Sequence, residues 1–292
     1  MPGVLPWILA ARPKTLPAAA SPVCIGAAMA VNTGTPFNWA VFCITLLTAL
    51  LLQILSNYAN DLADFESGAD SGERLGPLRV TQAGLISSSG MRKACAVITA
   101  LALTGGAYLV WHGGLPILLC GLFSIYFAYR YSTGTHSLSR LGLGELFVII
   151  FFGIVPVAGT YYLLTLNSPL PTLLPGLAIG LSSTAIIVVN NLRDIPADTR
   201  SGRKTLAVRF GETFARQEHT FCLLAAVACA ALYFIPDKIS QGIFVFISSL
   251  LPALLLINDT QHRKGAELNA TLARTAAFSA WIGAVVIVNL SL

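Results

Sequence analysis

Charge is almost absent from most of this sequence. Apolar runs of the length a helix needs to cross a hydrocarbon core, about 17–25 residues, lie near 15–31, 39–58, 94–112, 115–131, 142–163, 173–191, 219–236, 241–258 and 272–291. In lipid such a run must satisfy its backbone N–H and C=O groups internally, which makes it a helix. The expectation is an all-α integral membrane protein of nine transmembrane helices, a single domain over residues 1–292. Pro17 and Pro22 interrupt the first run, and neighbours in a bundle can re-satisfy the groups they free. Composition agrees, since 55% of the residues are apolar and only 11% charged, a balance foreign to soluble domains.

The same numbers exclude several classes. The net charge of +5 is spread thinly rather than over one basic face, so no nucleic-acid partner is expected. Cys24, Cys43, Cys95, Cys120, Cys222 and Cys229 sit in apolar runs without a CxxC pair, and His112, His136, His219 and His262 are scattered. Neither a disulfide scaffold nor a zinc or haem site is expected from them. The opening MPGVLPWILAARPKTLPAAA lacks the basic start, apolar core and small-residue cleavage site of a secretory leader, so the first run is expected to stay in the protein.

Nine spans place successive loops on alternate sides, and Lys and Arg gather in the cytoplasmic ones. Of the 18 Lys and Arg, all but Lys238 fall on one side. That side is read as cytoplasmic, with the N-terminus inside, the C-terminus outside and a bacterial inner membrane as the location. Two loops on that side, about 59–93 and 192–218, are long and mix acidic, basic and glycine residues. Long loops in compact proteins usually carry function.

Each long loop opens with an acidic cluster. The first, NYANDLADFESGADSGERLGPLR, contains Asn57, Asn60, Asp61, Asp64, Glu66, Asp70 and Glu73; the second, NNLRDIPADTRSGRKTLAVRFG, contains Asn190, Asp194 and Asp198. Asn57 to Asp61 and Asn190 to Asp194 are both steps of four, and the two pairs are 133 residues apart. A duplication of four helices would explain this, with halves of about 1–135 and 136–265 followed by a ninth helix, 272–291. Residues three and four apart share a helix face, so Asn57, Asp61 and Asp64 form one stripe of oxygen ligands and Asn190, Asp194 and Asp198 another. Both stripes fall at helix C-termini, where the macrodipole is already negative and requires compensating positive charge. Oxygen ligands without clustered thiolate or imidazole favour Mg²⁺, which binds through a few carboxylates plus substrate phosphates. A diphosphate held between the clusters fits that preference. Arg74, Arg79, Arg193, Arg203, Lys204 and Arg209 lie in the same loops to neutralise phosphate oxygens, with Lys14 and Arg130 at neighbouring helix ends. The chemistry implied is departure of diphosphate, with apolar walls keeping water from an allylic carbocation.

Plainer readings stand beside these. Topology alone requires positive charge at Arg12, Lys14, Arg92, Lys93, Arg263 and Lys264. Tyr126, Tyr129 and Tyr131 suit an interfacial aromatic belt, and Glu145 in GLGEL suits electrostatic capping of its own helix.

At these residues the chain resembles the UbiA superfamily of intramembrane aromatic prenyltransferases, a nine-helix fold with two Asp-rich motifs. ARPKTLPA at 11–18, NYANDLAD through GPLR at 57–79, GLGELFV at 142–148 and NNLRDIPAD through TLAVRFG at 190–211 look like the branch of that superfamily that serves menaquinone synthesis. The resemblance implies that Asn57, Asp61, Asp64, Asn190, Asp194 and Asp198 carry Mg²⁺ and diphosphate, with Asp61, Asp64, Asp194 and Asp198 as the catalytic carboxylates. It implies substrate contacts by Lys14, Asn57, Asn60, Asp70, Arg74, Arg79, Arg130, Tyr131, Asn190, Arg193, Arg203 and Lys204. The substrates implied are a polyprenyl diphosphate and 1,4-dihydroxy-2-naphthoate, with membrane lipid around the tail. Asp64 or Asp70 is the implied base for the acceptor hydroxyl. This chain departs from the branch in having Arg203 before Lys204 directly after the glycine, and from the wider superfamily in having Tyr126 with Arg130 after the fourth helix. A 4-hydroxybenzoate transferase, a phytyl-using relative and a secondary transporter are the rival readings.

Overall fold

The computed structural model describes residues 3–66, 79–130 and 142–292, and these are helical apart from short turns. Ten α-helices follow in order: α1 Val4–Ala11, α2 Pro17–Val31, α3 Trp39–Glu66, α4 Ser88–Gly113, α5 Leu115–Arg130, α6 Gly144–Thr165, α7 Leu173–Arg200, α8 Leu206–Phe234, α9 Ile239–His262 and α10 Leu268–Ser291. Their ends follow local rules. The side chains of Asn38, Ser87 and Thr205 accept backbone N–H bonds that open α3, α4 and α8, as short polar residues do at N-caps. Gly114, with φ of 70°, closes α4, a conformation costly for residues with a Cβ.

Seven of the described helices are long and apolar enough to cross a membrane, and an eighth span appears if α1 and α2, which meet at a 50° bend, count as one. Each of the nine apolar runs is helical over most of its described residues. The shortfall from nine spans comes from length: α5 has 16 described residues, about 24 Å at 1.5 Å per residue, against about 30 Å of hydrocarbon.

α7 is the hub of the bundle. Of its most apolar window 72% is buried, against 17% for α3. α8, α10 and α6 surround it, while α3 packs on α4, α5 and α2, and α2 reaches across to α6 and α10. The approach of α6 to α7 depends on glycine: a Cβ at Gly153 would lie 2.4 Å from the Gly176 carbonyl oxygen and 2.5 Å from the Gly180 Cα. Small residues at such crossings let helix backbones touch where lipid gives no hydrophobic drive. α6 widens to a π-turn over Ile150–Ile154 at this crossing, just before Pro156, which has no N–H to donate. Leu47, Val97, Trp111, Phe221, Phe244 and Ile247 face outward. Apolar surface on every side is compatible with lipid and not with water, and the chain is a multi-pass membrane protein.

Candidate active site

Asn57, Asn60, Asp61, Asp64 and Glu66 of the first cluster and Asn190, Asp194 and Asp198 of the second lie on helix rather than on loop, because α3 runs to Glu66 and α7 to Arg200, eight and nine residues beyond the apolar runs. The hydropathy boundary marks where apolar residues stop, and tertiary partners carry the helix further. Asn57, Asp61 and Asp64 share one buried face of α3, as their spacing predicts. On α7, Asp198 is buried while Asn190 and Asp194 are half-buried.

Each carboxylate has a distinct set of partners. Asp61 accepts the backbone N–H groups of Val80 and Thr81, both at 3.0 Å, so its two oxygens anchor the chain where it returns to α4. That anchoring delivers Arg79, whose guanidinium pairs with Asp64 and donates to Asn60 Oδ1 at 2.8 Å. Asp64 also accepts from Arg203 at 2.6 Å, and the same guanidinium lies 3.5 Å from Asp198. Arg203 thus ties the carboxylate of α3 to that of α7, and the two clusters face each other. Positive charge is needed between them: two buried carboxylates at the negative ends of two helices repel each other without it.

The rest of α7's cluster is braced from the side. Arg193, 4% exposed, pairs with Asp194 at 2.7 Å, donates to Asn190 Oδ1 at 2.7 Å and reaches Asn269 of α10 at 2.8 Å. On α3, Asn57 donates to the Ala11 carbonyl at 2.9 Å and to Thr15 Oγ1 at 3.0 Å. That fastens the cluster to the turn Pro13–Thr15, where Lys14 is exposed. Lys204 is exposed, and its carbonyl accepts from Arg209 Nε at 2.9 Å. Arg130 is half-buried at the end of α5. Glu145, buried in the first turn of α6, accepts from Asn191 of α7 at 2.8 Å and so joins helices besides facing its own N-terminus. Tyr126 is exposed, while the Tyr129 hydroxyl bonds Thr99 at 2.8 Å. Asp70, Glu73, Arg74 and Tyr131 lie outside the described residues.

The donors gathered here are oxygens alone, the chemistry of a hard cation rather than a soft one. Among the described residues no three His, Cys, Asp or Glu side chains converge on one point. A metal ion at this site would therefore draw on amide oxygens and on ligand phosphate as well as on carboxylates, which is how Mg²⁺ is usually held. Asp64 and Asp198, bridged by Arg203, mark where that cation chemistry fits best.

Beneath the first cluster lies an apolar cavity of about 210 Å³, walled by α2, α3, α4, α5 and α6. Gln53, one turn before Asn57, and Ser56, directly before it, line the cavity, and Phe127 meets Phe147 and Phe151 in its wall with ring centroids 4.3 and 4.9 Å apart. Gln53, Thr15 and Asn269 belong to neither acidic motif, yet all three bond residues of those motifs or their partners. Gln53 alone left a signal, a polar residue four before Asn57 inside an apolar run; Thr15 and Asn269 matter only through contacts distant in sequence.

Comparison with known proteins adds the following. The pattern of the UbiA prenyltransferase family matches residues 19–285. The chain is 38% identical over 263 residues to a 1,4-dihydroxy-2-naphthoate octaprenyltransferase of Escherichia coli, covering 88% of this chain and 84% of that one. It is 36% identical over 251 residues to the protein of the same name from Haemophilus influenzae, covering 84% and 82%. In fold it is similar to a UbiA homologue from Archaeoglobus fulgidus solved with GPP and Mg²⁺, at a TM-score of 0.67, 17% identity, and coverage of 98% of this chain and 100% of the other.

Proposed function

Because this chain belongs to the UbiA prenyltransferase family, we propose that it transfers a polyprenyl group from polyprenyl diphosphate to 1,4-dihydroxy-2-naphthoate. Diphosphate and CO₂ leave, and the product is demethylmenaquinone in its quinol form. The observation that carries this reading is two facing Asp clusters, tied through Arg203, directly above an apolar cavity. A ligand with a polyanionic head and a hydrocarbon tail suits that arrangement, and the relatives at 36% and 38% identity supply the acceptor.

The residues divide the work. Asn57, Asp61 and Asp64 of α3 and Asn190, Asp194 and Asp198 of α7 would hold Mg²⁺, which supplies charge neutralisation to the departing diphosphate. Arg79 and Arg203 bind phosphate oxygens from their positions beside Asp64, with Lys14, Lys204, Arg130 and, beyond the described residues, Arg74 and Tyr131 completing the anionic site. Asn60 and Arg193 hold this apparatus in place through Arg79 and through Asn190 and Asp194. As the allylic C–O bond breaks, its electron pair goes to diphosphate. The cavity walls exclude water from the cation, and the ring carbon bearing the carboxylate attacks it. Loss of CO₂ returns an electron pair to the ring and restores aromaticity. Asp64 or Asp70 takes the proton of the acceptor hydroxyl as the ring attacks and returns it to that oxygen once CO₂ has left, which gives the quinol.

The same reading puts nine spans across a bacterial inner membrane, α2 to α5 and α6 to α9 as the two halves and α10 as the ninth, with the site at the cytoplasmic face. Asn57 and Asn190 at corresponding ends of α3 and α7 support the duplication, and the one-sided Lys and Arg distribution supports the orientation.

Purified protein given polyprenyl diphosphate with 1,4-dihydroxy-2-naphthoate or 4-hydroxybenzoate, with and without Mg²⁺, tests the reading by mass spectrometry. Prenylated, decarboxylated naphthoquinol is expected only with Mg²⁺, and Asp64→Asn and Asp198→Asn should each lower turnover by about 100-fold or more. Prenylated hydroxybenzoate would overturn the acceptor assignment. No product from either acceptor would overturn the enzyme reading and favour transport, to be sought as ion-dependent flux in sealed vesicles.

A further inference from the structure

Gln53 is 7% exposed, lies in the wall of the apolar cavity, and its Oε1 has no hydrogen-bond partner among the described residues. Its other amide atom is fixed. Thr15 Oγ1 donates to the Arg12 carbonyl at 2.9 Å, so it can only accept from its remaining neighbours, Gln53 Nε2 at 3.1 Å and Asn57 Nδ2 at 3.0 Å. The network therefore sets the amide orientation: nitrogen toward Thr15, oxygen away from it as a bare acceptor. Leaving such an atom buried and unpaired is costly, and a ligand that donates to it recovers that cost.

Neither part of a prenyl diphosphate can do so, since the tail has no polar hydrogen and the ionised head is an acceptor. The aromatic co-substrate can. In 1,4-dihydroxy-2-naphthoate the 1-hydroxyl is occupied by the adjacent carboxylate, and the 4-hydroxyl is the free donor. Resting on the function proposed above, we propose that Gln53 is a specificity-determining residue that accepts a hydrogen bond from the 4-hydroxyl of the naphthoate. Gln53 sits one turn from Asn57 on the face of α3 that carries the first cluster, so this bond holds the ring beside the diphosphate site and selects acceptors with a hydroxyl opposite the first.

1-Hydroxy-2-naphthoate tests this directly. It lacks the 4-hydroxyl, while its 1-hydroxyl still activates the carbon that is attacked, so differences in rate report on recognition. The wild-type chain should prefer the dihydroxy acceptor by about tenfold or more in kcat/KM. Gln53→Met, close in volume and without an acceptor oxygen there, should erase most of that preference by raising KM for the dihydroxy acceptor, with KM for polyprenyl diphosphate unchanged. Gln53→Glu, which keeps an oxygen at the position, should retain it. An undiminished preference in Gln53→Met, or an equal rise in KM for polyprenyl diphosphate, would overturn the inference alone. Absence of naphthoate product from the wild type would overturn the functional reading and this inference together.

Discussion

Arg203 is the residue through which the two halves of the site meet. Its guanidinium reaches Asp64, 139 positions earlier in the chain, and Asp198 on the neighbouring helix. A planar fork with several donors can serve two carboxylates at once, whereas an ammonium is a point charge on a flexible stem. Arg203→Ala should therefore raise KM for polyprenyl diphosphate at least about tenfold, and Arg203→Lys should restore only part of the loss, as measured by steady-state kinetics at saturating acceptor. The stripe Asn57, Asp61 and Asp64 was legible in the sequence because steps of three and four residues fix a helix face locally. The jobs within that stripe were not. Asp61 spends both oxygens on the Val80 and Thr81 amides while Asp64 faces the second cluster, and nothing in the spacing separates the two.

At the scale of the helices, hydropathy located every apolar run but misjudged where the helices end. α3 continues past its apolar stretch because Asn57, Asp61 and Asp64 find partners on other elements, and α7 because Asp198 pairs with Arg203 while Asn190 and Asp194 pair with Arg193, itself held by Asn269 of α10. Intrinsic preference would end a helix at such residues, and tertiary contacts override it. The crossing of α6 and α7 shows the same dependence on neighbours: Gly153, Gly176 and Gly180 look unremarkable in sequence, yet their backbones touch. Gly153→Val should destabilise the fold by about 1–3 kcal/mol through overpacking. A lower melting temperature in detergent checks this, while the equivalent change at Gly159, where a Cβ would meet nothing within 4 Å, should leave melting nearly unaltered.

For the whole molecule, the arrangement gathers the described residues of the candidate site at one end of the bundle. Asp61, Asp64 and Asp198 lie there with Arg79 and Arg203, while large apolar side chains cover the outer faces of the helices. This geometry makes a topology prediction. In a cysteine-free but otherwise intact chain, Lys238→Cys should react with a membrane-impermeant thiol reagent added to whole cells. Lys264→Cys should react only in inverted vesicles. Labelling of Lys264→Cys from outside would reverse the proposed orientation.

Helix as the regular secondary structure of the described residues, the number of apolar runs and the membership of the two acidic stripes were all determined by the sequence itself. Each follows from local periodicity or from the cost of placing charge in hydrocarbon, and needs no knowledge of which helix meets which. Only the tertiary structure decided that Arg203 joins Asp64 to Asp198, that Arg193 leans on Asn269 of α10, and that Thr15 turns the Gln53 amide so that its oxygen is left unpaired. The bonds of Arg203 to Asp64, Arg193 to Asn269 and Gln53 to Thr15 join residues 139, 76 and 38 positions apart, and they form only when α7 packs on α10, the Arg203 side chain reaches across to α3, and Thr15 in the turn before α2 meets Gln53 of α3.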